Sequence, residues 1–140
     1  MNVSLDASAI VPLFVNDIFT ERIKALLIAQ SPVVIVSDFA GAEFASVIAR
    51  RVRTGDLTDT EARTAFSTFD IWSARFARRV EAIPADMIAT SAFLRRLDLN
   101  LRTPDALNIA IAQRLAATLV TFDVKMAANA RALGVVVADG

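Results

Sequence analysis

Asp6, Asp38, Asp123 and Asp139 each follow closely on a short apolar run, and Asp105 comes two residues after Thr103. Glu43 lies in Phe39-Ala40-Gly41-Ala42-Glu43-Phe44-Ala45, among small and apolar residues where a solvated charge is out of place. An acid after a strand is commonly a turn or helix-capping residue. A carboxylate on an apolar face instead needs a partner, a raised pKa or a metal. The rest of the inventory narrows the chemistry further. The chain has no histidine and no cysteine, which excludes an imidazole base, a Ser-His-Asp triad, a thiolate nucleophile and zinc held by His or Cys. None of its 4 glycines stands in a phosphate-cradling spacing. Carboxylates, hydroxyls and 15 lysines and arginines remain, a set suited to acids working with a hard divalent cation.

Four apolar runs are expected to carry these acids. Val3–Leu5 ends at Asp6, Pro32–Val36 ends at Ser37-Asp38, Leu119–Phe122 ends at Asp123, and Val135–Val137 closes the chain. Continuous runs, rather than alternation, predict strands buried on both faces, as in a parallel sheet. Between them, helical spacing predicts helices over Asp17–Ala29, Ala40–Arg53 and Ala127–Leu133, the last ending at Gly134. Thr58-Asp59-Thr60-Glu61 is a capping-box sequence, opening a helix whose Phe66, Phe69, Trp72 and Phe76 share a face. Pro84 and Pro104 read as first-turn prolines, with Thr103 a natural cap for the second. The alternation predicts an α/β chain: a three-layer α/β/α sandwich with a mostly parallel central sheet. In such sheets ligands bind beyond the carboxyl ends of the strands, where the acids fall.

With 140 residues and no linker-like or repeated segment, residues 1–140 are expected to form a single domain. The longest uncharged stretch, Ala25–Ser37, is too short for a membrane span, which needs about 18 residues. Asp6 precedes any basic residue, unlike a signal peptide, and the missing cysteines fit a reducing compartment, so the expected location is cytoplasmic.

Together these segments resemble a known family. Val3-Ser4-Leu5-Asp6-Ala7-Ser8-Ala9-Ile10 is similar to the opening of a PIN domain, and Ser37-Asp38-Phe39-Ala40-Gly41-Ala42-Glu43-Phe44 to its second element. Leu101-Arg102-Thr103-Pro104-Asp105-Ala106-Leu107-Asn108-Ile109 is similar to the third, Leu119-Val120-Thr121-Phe122-Asp123 to the fourth, and Leu133–Val137 to the closing strand. The resemblance covers nearly the whole chain in order, and the length is most like the VapC-type toxin ribonuclease of a bacterial VapBC toxin–antitoxin pair. It implies an acidic site of Asp6, Glu43, Asp105 and Asp123 that binds Mg²⁺ or Mn²⁺ and hydrolyses RNA to 5′-phosphate and 3′-hydroxyl ends. Ser8 and Thr121 match positions that often carry a hydroxyl near the site. Asp38 and Asp139 match no acidic position, and Asn108 stands where many relatives have histidine. The expected partners are an RNA substrate, a cognate VapB-type antitoxin and a second copy of the chain, with a larger complex forming with the antitoxin.

Net charge is zero, yet setting the four acids aside leaves 11 acidic against 15 basic residues, an excess of four positive charges. Arginines cluster at Arg50/Arg51/Arg53, Arg75/Arg78/Arg79 and Arg95/Arg96, with Arg102 beside the site as the expected RNA contact. Phe66, Phe69, Trp72 and Phe76 are core residues or, on the family reading, line a groove for an antitoxin helix. The main competing reading is a non-catalytic PIN-like domain that only binds a partner. A phosphoacceptor receiver domain gives Glu43 and Asp105 no role, and a D-x-D phosphatase fails at Ser8.

Overall fold

Three of the expected apolar runs lie side by side in the computed structural model, which describes residues 1–138. β1 (Asn2–Leu5) pairs in parallel with β2 (Val33–Ser37) on one side and β4 (Thr118–Val120) on the other. Ser4 stands opposite both Ile35 and Leu119. A further strand, β3 (Ala77–Val80), extends the sheet beyond β2, giving the all-parallel order β3-β2-β1-β4. Successive side chains of a strand face opposite sides of the sheet. Val3, Leu5, Val34, Val36 and Val120 accordingly enter one apolar core, and Leu119 enters a second.

The first core is closed by α1 (Ala7–Phe14), α2 (Thr20–Gln30), α3 (Asp38–Arg53) and α4 (Asp59–Phe76). The second is closed by α6 (Thr103–Arg114) and α7 (Val124–Ala132), with α5 (Pro84–Leu94) packed on α6. This is the expected three-layer sandwich. No helix among the described residues is long and apolar enough to cross a membrane.

Helix starts follow local hydrogen bonding and so depart from the periodicity by a few residues. α2 begins at Thr20 rather than Asp17 because the Asp17 carboxylate accepts the Phe19 N–H at 2.7 Å and its own N–H reaches Thr20 Oγ1 at 2.9 Å, forming a turn. α3 begins at Asp38 because Ser37 Oγ accepts the Ala40 N–H at 2.9 Å. The Thr58–Glu61 capping box forms in both directions, at 3.0 and 3.1 Å. α7 starts at Val124, capped by Asp123, and stops ahead of Gly134, whose φ of +83° suits glycine. At α6 the cap position belongs to Arg102 in extended conformation, so Thr103 is the first helical residue and not the cap.

Three expectations are corrected. Val135–Val137 adds no strand; only Leu119 and Val137 form an isolated bridge. β3, read simply as part of an arginine cluster, is an edge strand whose Arg78 and Arg79 are exposed. Charged side chains are a common guard on such edges, and they hide the strand from any search for apolar runs. The aromatic stripe of α4 is divided. Phe14 sits edge-on to Phe44, Phe69 and Trp72 with centroids 5.5–5.7 Å apart, and Phe44 packs on Phe66 and Phe69. Phe69 is buried in the core and Phe66 and Trp72 pack against it partly buried, while Phe76 is 67% exposed.

Candidate active site

Asp6 ends β1 and caps α1, which explains why an acid stands there, but capping uses only part of it. Its Oδ1 accepts the Ala9 N–H at 3.1 Å and the Ser8 hydroxyl at 2.6 Å. Its Oδ2 accepts the Thr121 hydroxyl at 2.6 Å. The side chain is 5% exposed, and among the described residues no lysine or arginine forms an ion pair with it. Burial pushes its carboxyl above the usual aspartate range, the three hydrogen bonds oppose that shift, and the Asp123 charge adds to it. The adjacent strand ends are locked by the same hydroxyls. Phe122 N–H donates to Ser8 Oγ at 2.9 Å and Asp123 N–H to Thr121 Oγ1 at 3.1 Å. Ser8 and Thr121 thus tie the segment after β1 to the segment after β4.

Glu43 projects from α3, half-buried. Its Oε1 accepts from Asn108 Nδ2 at 2.7 Å, and the same amide reaches the Pro104 carbonyl at 3.0 Å. Burial is the main cause lifting its carboxyl above the ordinary range. Asp6 and Asp105 raise it further, while the Asn108 hydrogen bond and Arg102 lower it. Asp105, in the first turn of α6, keeps 14% of its side chain exposed and lies 3.8 Å from Arg102 Nε. Asp123 is exposed and spends Oδ1 on the Met126 N–H, at 3.1 Å. Asp6 feels the charge of Asp123, and Glu43 feels Asp6 and Asp105. The four acids thus share one electrostatic neighbourhood at the carboxyl ends of β1 and β4 and on the helices facing them.

The donor set is wholly oxygen, as a hard divalent ion prefers. Among the described residues no three acids stand close enough together to cage an ion by themselves. Mg²⁺ does not need a cage, since it commonly keeps several waters and is held by one or two carboxylates plus substrate phosphate. The residues present fit such a group.

Other acids have other tasks. Asp38 Oδ1 accepts the Ala82 N–H at 2.9 Å, tying the start of α3 to the segment after β3. Asp139 lies outside the described residues. Asp86, not singled out by its sequence context, is 1% exposed and takes a two-pronged contact from Arg114 at 2.8 and 3.0 Å. Arg114 also donates to the Glu81 carbonyl at 2.9 Å, joining α5, α6 and the β3–α5 connection. Asn108 was visible only as a departure from the family pattern. Its i+3 spacing from Asp105 was the available signal that it shares the acid-bearing side of α6. Arg102 is largely exposed beside Asp105, open to a ligand.

The fold itself has known relatives. No curated protein sequence matches the chain. Its fold is similar to the VapC20 toxin of Mycobacterium tuberculosis, described as cleaving the sarcin–ricin loop, at TM-score 0.71 and 19% identity over 90% of this chain and 93% of that one. It is also similar to VapBC2 from Rickettsia felis, solved with a promoter DNA fragment, at TM-score 0.73 and 16% identity over 99% and 98% of the two chains. FitAcB from Neisseria gonorrhoeae gives TM-score 0.70 at 19% identity over 98% and 96%. These likenesses show the fold. The PIN domain family model matches residues 3–132, nearly the whole chain, and the chain belongs to the PIN domain family.

Proposed function

We propose that this protein is a VapC-type toxin: a Mg²⁺- or Mn²⁺-dependent endoribonuclease restrained by a cognate antitoxin. The observation that carries the reading is Asp6, a buried carboxylate answered by hydroxyls and an N–H but, among the described residues, by no paired cation, with three more acids around it. Two like charges about 4 Å apart at an effective dielectric of about 20 repel by about 4 kcal/mol, so such a cluster calls for outside positive charge. PIN domains are typically nucleases that use divalent metals, and relatives of this fold have been crystallised as VapBC and FitAB toxin–antitoxin assemblies.

Asp6, Glu43, Asp105 and Asp123 would hold the ion, which when bound supplies Lewis acidity and a water of lowered pKa. The chain's own residues prepare that chemistry. Ser8 and Thr121 fix both oxygens of Asp6, and Asn108 fixes one oxygen of Glu43, leaving its other oxygen for the ligand side. Arg102 offers a guanidinium to the RNA backbone next to Asp105. An antitoxin would act by covering this mouth.

The test is RNA cleavage by purified protein with and without Mg²⁺ or Mn²⁺. Cleavage is expected with metal and is expected to vanish in Asp6→Asn and Asp105→Asn, with circular dichroism unchanged. Metal-stimulated cleavage that survives in both variants sinks the assignment. A wild-type protein that binds its partner but never cleaves establishes the non-catalytic reading instead.

A further inference from the structure

Thr121 and Asp123 also border an open cavity of about 340 Å³, lined besides by Phe19, Arg22, Phe122 and Arg131. Phe19, in the turn before α2, and Phe122, between β4 and α7, stack almost parallel, with centroids 4.6 Å apart and planes inclined by 7°. The Arg22 guanidinium lies 5.6 Å from the Phe19 centroid and 5.0 Å from that of Phe122. Both rings are half-buried. Phe122 is also fixed relative to the acids. It stands between Thr121, whose hydroxyl holds Asp6, and Asp123, and its own N–H is held by Ser8.

A flat aromatic stack bordering an open cavity beside the acids matches the planar base of an unpaired nucleotide. We propose that this cavity is a nucleobase subsite: one unpaired base of an RNA strand stacks on the Phe19–Phe122 pair, while the neighbouring phosphodiester is presented to Asp6 and Asp123. The identity of the ligand rests on the ribonuclease reading above.

The experiment uses single-stranded RNA oligonucleotides in EDTA, with 2-aminopurine or an abasic nucleotide scanned along the strand. Wild-type protein is expected to quench 2-aminopurine at one position, and removal of the base there is expected to weaken binding. Phe122→Leu should bind the intact strand about tenfold more weakly, as loss of one aromatic stacking contact does. It should lose nothing further on the strand abasic at that position. Phe19→Leu repeats the test at a residue outside the acid-bearing segment. Equal binding of the intact strand by wild type and both leucine variants overturns the subsite. So does an equal loss on intact and abasic strands, which marks a structural effect. Protein that cleaves RNA with metal but shows no such coupling loses the subsite alone. Protein that stacks the base but never cleaves keeps the subsite and loses the ribonuclease reading.

Discussion

Asp6 and Asp86 are almost equally hidden from water, at 5% and 1% exposure, and the fold answers them in opposite ways. Asp86 meets a guanidinium through both oxygens, so its charge is neutralised in place and the pair joins α5 to α6. Asp6 meets two hydroxyls and a backbone N–H. These satisfy its hydrogen-bonding capacity without supplying opposite charge. A buried carboxylate with its counterion built in is a structural part, whereas one left anionic among other acids is prepared for a cation from outside. Burial alone does not separate the two roles; the charge of the partner does.

The largest expected effect on stability tests the structural member. Asp86→Ala leaves Arg114 facing an emptied, buried site and should lower unfolding free energy by about 3 kcal/mol in urea melts. The double variant Asp86→Leu/Arg114→Met should recover much of that loss, and a double variant as unstable as the single one would break the comparison. On the other side, saturating Mn²⁺ should stabilise the wild type by about 2.7 kcal/mol at a hundredfold excess over its dissociation constant. Asp6→Asn should abolish most of the accompanying rise in thermal midpoint, and Asp86→Ala should retain it.

Thr121→Val removes a hydrogen bond to a buried carboxylate and is expected to cost about 2 kcal/mol, more at neutral pH than in acid. The sign follows from Asp6 itself. Its folded pKa lies above the ordinary value of 3.8, so the native state binds more protons than the unfolded chain between that value and the raised one. Metal-free stability contributed by this group therefore falls as pH rises through that window. Asp6→Asn should flatten the decline, and thermal melts across pH without divalent ions read it directly. Smallest is Asn108→Ala, expected to lower stability by about 1 kcal/mol because Glu43 is half-exposed and water replaces the lost donor. Its effect on metal affinity should exceed its effect on folding.

Much of the fold was legible in sequence, and the reason differs from element to element. Val3–Leu5, Val34–Val36 and Leu119-Val120 are buried on both faces, so their apolar runs announce strands. Ala77–Val80 is an edge whose central Arg78 and Arg79 stand in water, where nothing requires apolarity. The Thr58 capping box is a local device of four residues and was readable as such. Asp86 was not, because its partner is 28 residues away.

The sequence by itself determined which chemistry was open to this protein, because a chain without histidine or cysteine must work through oxygen ligands. It also placed Asp6 at a strand end and Asp123 shortly beyond one, since a run of apolar residues that stops at an acid encodes that boundary locally. Only the tertiary structure decided how these acids are held. Thr121 reaches Asp6 across 115 residues of sequence, and Asn108 reaches Glu43 across 65. Such contacts depend on which strands become neighbours, and strand order is set by packing the whole chain rather than by any segment of it.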